Sequence, residues 1–175
     1  MPLVNGRILL DRIQEKRVLA GAFNTTNLET TISILNAIER SGLPNFIQIA
    51  PTNAQLSGYD YIYEIVKRHA DKMDVPVSLH LDHGKTQEDV KQAVRAGFTS
   101  VMIDGAAFSF EENIAFTQEA VDFCKSYGVP VEAELGAILG KEDDHVSEAD
   151  CKNGTGKGED LCRTHRLRHA GSFYW

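Results

Sequence analysis

The chain has 175 residues, 42% hydrophobic and 25% charged, which suits one domain with a sizeable core and excludes a low-complexity or disordered chain. Its net charge of −7 argues against general binding to nucleic acid or to an anionic membrane, both of which need basic surface. That total is split, with residues 1–151 summing to −10 and residues 152–175 to +3, as expected where two unlike segments meet.

The apolar pattern then alternates between two periods along the chain. A leading amphipathic stretch, GRILLDRIQEKR (6–17), predicts a helix. VLAGAFN (18–24) is a short apolar run suited to a buried strand, and LETTISILNAIERSG (28–42) follows with helical spacing. FIQIAP (46–51) predicts a second strand and YDYIYEIVKRHADKM (59–73) its helix. PVSLHLDH (76–83) is the third strand. It leads into TQEDVKQAVRAG (86–97), where Thr86 is placed to cap the helix and Gly97 to stop it. SVMIDGA (100–106) precedes the helix EENIAFTQEAVDFCKSYG (111–128), and VPVEAELG (129–136) is a fifth strand. After Glu142 neither period continues.

Largely apolar strands alternating with helices are the mark of a parallel sheet covered by helices. Two architectures fit that pattern, an open doubly wound sheet and a (β/α)8 barrel. The first calls for a Gly-x-Gly-x-x-Gly turn after the first strand, and the turn here, AFNTTNLE, has no glycine. A barrel is favoured, although periodicity by itself fits both. About five of its eight strands can be read, so the expected fold is an incomplete α/β (β/α)8 barrel. Polar groups close these strands: Asn24 the first, Asp82 and His83 the third, Asp104 the fourth and Glu134 the fifth. In a barrel such ends converge on one face, where active sites are built. One aspartate or histidine there is ordinarily a cap or a loop anchor. Polar residues at four of the five strand ends, with one imidazole among carboxylates, suit a borderline-soft divalent ion such as zinc.

The motifs HLDHG (80–84), VMIDG (101–105) and VEAELG (131–136), followed by GKEDD (140–144) and preceded by AFNTTN (22–27), resemble in order and spacing the class II fructose- and tagatose-bisphosphate aldolases. The resemblance covers residues 1 to about 151. It implies a zinc-dependent aldehyde-lyase that reversibly cleaves a ketose 1,6-bisphosphate to dihydroxyacetone phosphate and glyceraldehyde 3-phosphate. It also implies that His83 ligates zinc, that Asp104 and Glu134 serve an alternative or second metal position, and that Asp82 is the acid/base at the substrate's C4 hydroxyl. Glu142 would exchange a proton with the enediolate, and Asn24 would contact substrate. A monovalent cation and a homo-oligomer are further implications. A lysine-dependent route would use a Schiff base, and no lysine is read at a strand end, in keeping with a metal as Lewis acid. The second strand closes on Ile49-Ala50-Pro51, where relatives often place a serine or threonine. That leaves open fructose, tagatose, or a related deoxy-gluconate phosphate as substrate.

Residues 152–175 form a separate, non-family tail expected to be disordered. One permitted set of codons for Thr164–Trp175, read one nucleotide later, spells RTGCDMLAVSIG, which is similar to the family's sixth strand. A frameshift near Lys152–Asn153 is therefore expected, leaving a truncated chain with little activity and without the family's two other zinc histidines. Tail motifs such as Cys162-x2-His165-x3-His169, Asn153-Gly-Thr155 and GTGKGE then carry no function. Two non-enzyme readings stand beside this one: a binding or regulatory partner of a complete aldolase subunit, and a small Cys/His metal module in the tail. Three cysteines, no apolar run of membrane-spanning length and no secretory leader make a cytoplasmic protein the expectation.

Overall fold

The computed structural model describes residues 2–135 and the backbone of two short strands, 140–142 and 145–147. The tail beyond 151, with its cysteine and histidine motifs, lies outside the described residues. Five parallel strands pair in the order of the chain: β1 (Ala22–Asn24), β2 (Asn45–Ile49), β3 (Val77–Gly84), β4 (Ser100–Asp104) and β5 (Val131–Glu134). A doubly wound sheet must reverse its strand order at a switch point. Here every strand lies beside its predecessor, so these are five consecutive strands of a (β/α)8 barrel.

The helices form where capping and amphipathicity agree. α1 (Gly6–Lys16) is capped by Asn5, and α2 (Leu28–Ser41) by Asn27 in a reciprocal box with Thr30. α4 (Tyr59–Ala70) precedes β3. α5 (Gln87–Ala96) opens on the Thr86–Asp89 box and stops at Gly97, as the sequence indicates, while Ser109 and Glu112 cap α6 (Phe110–Lys125). Residues of one strand parity, including Ile47, Ile49, Leu79, Leu81, Val101 and Ile103, are buried in one cluster with Leu35, Ile62, Val66, Val90 and Ala120 from these helices. Side chains alternate across a strand, so Phe46, Gln48, His80, Asp82, Met102, Asp104, Glu132 and Glu134 have the opposite parity. At the N-terminal end of that inner face, α1 packs Leu9 and Ile13 on Phe46 and closes the bottom of the barrel.

Three elements depart from the sequence reading. The first strand covers only Ala22–Asn24 and all three residues are exposed; it is an edge with a partner on one side, so its apolar run is not buried. A short helix, α3 (Pro51–Ser57), sits between β2 and α4. Pro51 at its first position supplies the helical φ in advance, but seven residues are too few for a readable period. Beyond β5 the pattern does not end at Glu142, because β6 (Gly140–Glu142) pairs antiparallel with β7 (His145–Ser147). No helix among the described residues is long and apolar enough to cross a membrane.

Candidate metal centre and active site

Simple alternation would send Asp82 inward and His83 outward, away from each other. The β3–β4 ladder avoids this with an irregularity. Leu81 pairs with Val101 and Gly84 with Ile103, so three steps on β3 oppose two on β4, which is the count of a β-bulge. Within it His83 takes φ +50°, the left-handed region that a residue with a Cβ enters only at a cost of about 1–2 kcal/mol. The strain puts both side chains on the inner face, at the C-terminal ends of the strands.

There His83 Nδ1 stands 3.3 Å from Asp104 Oδ2 and 3.3 Å from Glu134 Oε2, and its Nε2 is 3.9 Å from Asp82 Oδ1. Among the described residues, His83, Asp104 and Glu134 each offer one ligand atom, all within 4.8 Å of one another. All three side chains are buried. Gln48 Nε2 donates to Asp82 Oδ2 at 2.7 Å, fixing that carboxylate beside the cluster. The Ala106 backbone N–H donates to Asp104 Oδ1 at 3.0 Å, which leaves Oδ2 facing the imidazole.

The chemistry of this donor set fits a divalent ion. Glu134 is 3% exposed, and its Oε2 has no hydrogen bond despite its proximity to the imidazole. A buried carboxylate oxygen without a hydrogen bond is costly, and a cation bound there would remove the cost. One imidazole nitrogen and two carboxylate oxygens also suit zinc or a similar metal.

Electrostatics of the cluster follow from burial and proximity. Burial alone would lower the pKa of His83, but the Asp104 and Glu134 carboxylates, with Asp82 close by, hold it up at about 10. Burial pushes Asp104 up, and hydrogen bonds from His83, Lys85 and Ala106 outweigh that and hold it well below the usual carboxylate range. The His83 shift carries a stability prediction. Relative to its ordinary value of 6.5, a raised folded-state pKa gives stability that is complete below about pH 6.5 and lost as pH rises through about 10. Urea midpoints in chelator should therefore fall across that window, more steeply than those of His83→Ala. Equal slopes in the two proteins would contradict it.

Deeper on the same face, His80 Nδ1 is 2.9 Å from Ser100 Oγ, and its ring meets Phe46 edge-on at 6.0 Å between centroids. Burial pushes His80 down to about 3 and Glu132 up to about 7. Their approach of 3.6 Å is thus not an ion pair near neutral pH.

The structure brings together four of the residues singled out from sequence: Asp82, His83, Asp104 and Glu134. Asn24 is exposed at the end of β1, with Gln48 as its register partner. Glu142 contributes backbone to β6, and its side chain lies outside the described residues. Sequence reading missed Gln48, although a lone polar residue inside FIQIAP was a usable signal. It also found no lysine at a strand end, and that is corrected: Lys85 directly follows β3, and its Nζ donates to Asp104 Oδ2 at 2.5 Å. One residue past the strand, a flexible four-carbon stem still reaches the cluster.

Polar strand ends gathered at the C-terminal mouth of a parallel barrel define an α/β-barrel protein with a candidate metal centre. The family described as class-II fructose-bisphosphate aldolase matches residues 4–164, and the chain belongs to that family of carbon–carbon lyases. It is 40% identical over 151 residues to a fructose-bisphosphate aldolase of Staphylococcus aureus strain Mu50, covering 85% of this chain and 53% of that protein. A Staphylococcus epidermidis fructose-bisphosphate aldolase is 39% identical with the same coverage. Among solved structures, the YdjI aldolase of Escherichia coli K12 superposes with a TM-score of 0.79 at 28% identity, over 94% of this chain and 59% of that one. The chain thus spans about half the length of the curated relatives it matches.

Proposed function

We propose that this sequence encodes a class II ketose-bisphosphate aldolase. The reaction is reversible cleavage of fructose or tagatose 1,6-bisphosphate to dihydroxyacetone phosphate and glyceraldehyde 3-phosphate. The observation that carries the reading is the buried His83–Asp104–Glu134 triangle with its unsatisfied Glu134 oxygen, set beside a carboxylate that Gln48 holds in place. His83, Asp104 and Glu134 would hold a divalent ion, most simply zinc, which when bound supplies Lewis-acid polarisation of a carbonyl. Asp82, 13% exposed and aligned by Gln48, is placed to move the proton of a substrate hydroxyl. Asn24 is assigned to substrate contact, and Glu142 to the second proton transfer.

Among the described residues, His83 is the one imidazole in the cluster. Residues 152–175 are assigned to an out-of-frame reading of the gene, which the nucleotide sequence through codons 150–190 decides. The functional test restores that frame. The restored protein should cleave at least one of the two bisphosphates, assayed side by side, in a reaction abolished by EDTA and indifferent to borohydride. Asp82→Asn should slow it by about 10²–10⁴-fold, the usual contribution of a positioned acid/base. Cleavage that survives EDTA but is trapped by borohydride would move the chemistry to a lysine. A correctly folded, zinc-loaded restored protein that cleaves neither substrate would overturn the aldolase reading.

A further inference from the structure

Asp104 Oδ2 is asked to serve two cations. It is one of the three ligand atoms that converge within 4.8 Å, and it also accepts from Lys85 Nζ at 2.5 Å. The other oxygen, Oδ1, accepts from the Ala106 backbone N–H, which fixes the carboxylate with Oδ2 turned toward both the imidazole and the ammonium. Lys85 differs from the other members of the cluster in exposure. Its side chain is 49% exposed, whereas those of His83, Asp104 and Glu134 are 9%, 7% and 4% exposed. A buried carboxylate held by backbone is fixed, while a half-exposed lysine can swing its ammonium back into water without dragging the backbone with it.

We propose that Lys85 is a tethered competitor for the metal, its ammonium and the divalent ion alternating on Asp104 Oδ2. This rests on the metal-centre reading above and deepens it by naming what sets the affinity. With the ammonium docked, one negative charge of the cluster is neutralised and a ligand oxygen is blocked. Metal entry expels the ammonium, and the repulsion between the two cations then holds Lys85 in its outward position. The lysine lowers affinity for every divalent ion, so only ions that the imidazole and both carboxylates bind strongly compete well.

The test uses the full chain and two metals alone, cobalt(II) followed by its visible spectrum and zinc by competition with a chromophoric chelator. Lys85→Ser should bind both about tenfold or more tightly at low ionic strength, since a unit charge a few ångströms from the ion is removed. Lys85→Arg, which keeps the charge, should stay near the parent. Independently, amine-acylating reagent read out by peptide mass spectrometry should modify Lys85 faster when zinc is bound, with Lys67, Lys72 and Lys91 unchanged as internal standards. Parent-like or weaker binding by Lys85→Ser, or Lys85 labelling that ignores zinc, would refute the competitor role while leaving the metal centre intact. If His83→Ala binds cobalt with the parent's affinity and spectrum, the metal is held elsewhere and the underlying reading fails with it.

Discussion

His83→Ala is expected to weaken zinc binding by more than about 100-fold, beyond the 10–100-fold that loss of a merely supporting contact costs. The reason is geometric. The imidazole is the one nitrogen donor in the triangle, and its Nδ1 lies at 3.3 Å from both carboxylates. Removing it leaves two buried carboxylates that repel each other and lack the nitrogen donor that suits zinc. Alanine also removes a buried ion pair, so folding and ligation must be separated. His83→Gly does this, because the residue sits at φ +50°, where glycine is unstrained. In chelator the glycine variant should be more stable than the alanine variant by about 1 kcal/mol, yet bind zinc no better. Calorimetric titration and urea unfolding of both proteins check the two halves. Recovery of tight binding in the glycine variant would show that backbone geometry, not the imidazole, makes the site.

The barrel order and the polar strand ends were legible because they follow from local rules: apolar strands, capped helices and a polar residue where each strand stops. Gln48 was legible in principle by the same rule. The pairing of Asp82 with His83 on one face was not, since a period of two places neighbours on opposite sides. Only the motif's resemblance to known aldolases joined them, and the structure supplies the cause in an extra residue of β3. Lys85 escaped for a related reason, since its backbone lies outside the strand while its ammonium lies inside the site. The short first strand shows a different limit. Its apolar composition expresses a preference for burial, and an edge with one neighbour does not meet it.

The bulge itself depends on Gly84, and replacing that residue should have the largest effect on the fold. Gly84 closes the irregularity by re-entering register opposite Ile103. A Cβ added there would lie 2.7 Å from the Met102 carbonyl oxygen and 3.1 Å from Leu81 Cδ2. The first of these is backbone in the neighbouring strand, so it cannot yield as a side-chain tip would. Gly84→Val must spread β3 from β4 in the middle of the sheet or push β3 back into flat register. The first response breaks ladder bonds and overpacks a buried seam, which together should cost about 3 kcal/mol or more. The second turns His83 away from Asp104 and Glu134, so zinc binding is lost on either route. Gly42 makes the contrast. It has φ +67° and nothing within 4 Å of its added Cβ, so Gly42→Ala should cost only about 1 kcal/mol of backbone strain and leave zinc affinity alone. Urea midpoints and zinc titrations of the two variants decide the point. A Gly84→Val protein with the parent's midpoint and zinc affinity would mean that the bulge is not what aims the histidine.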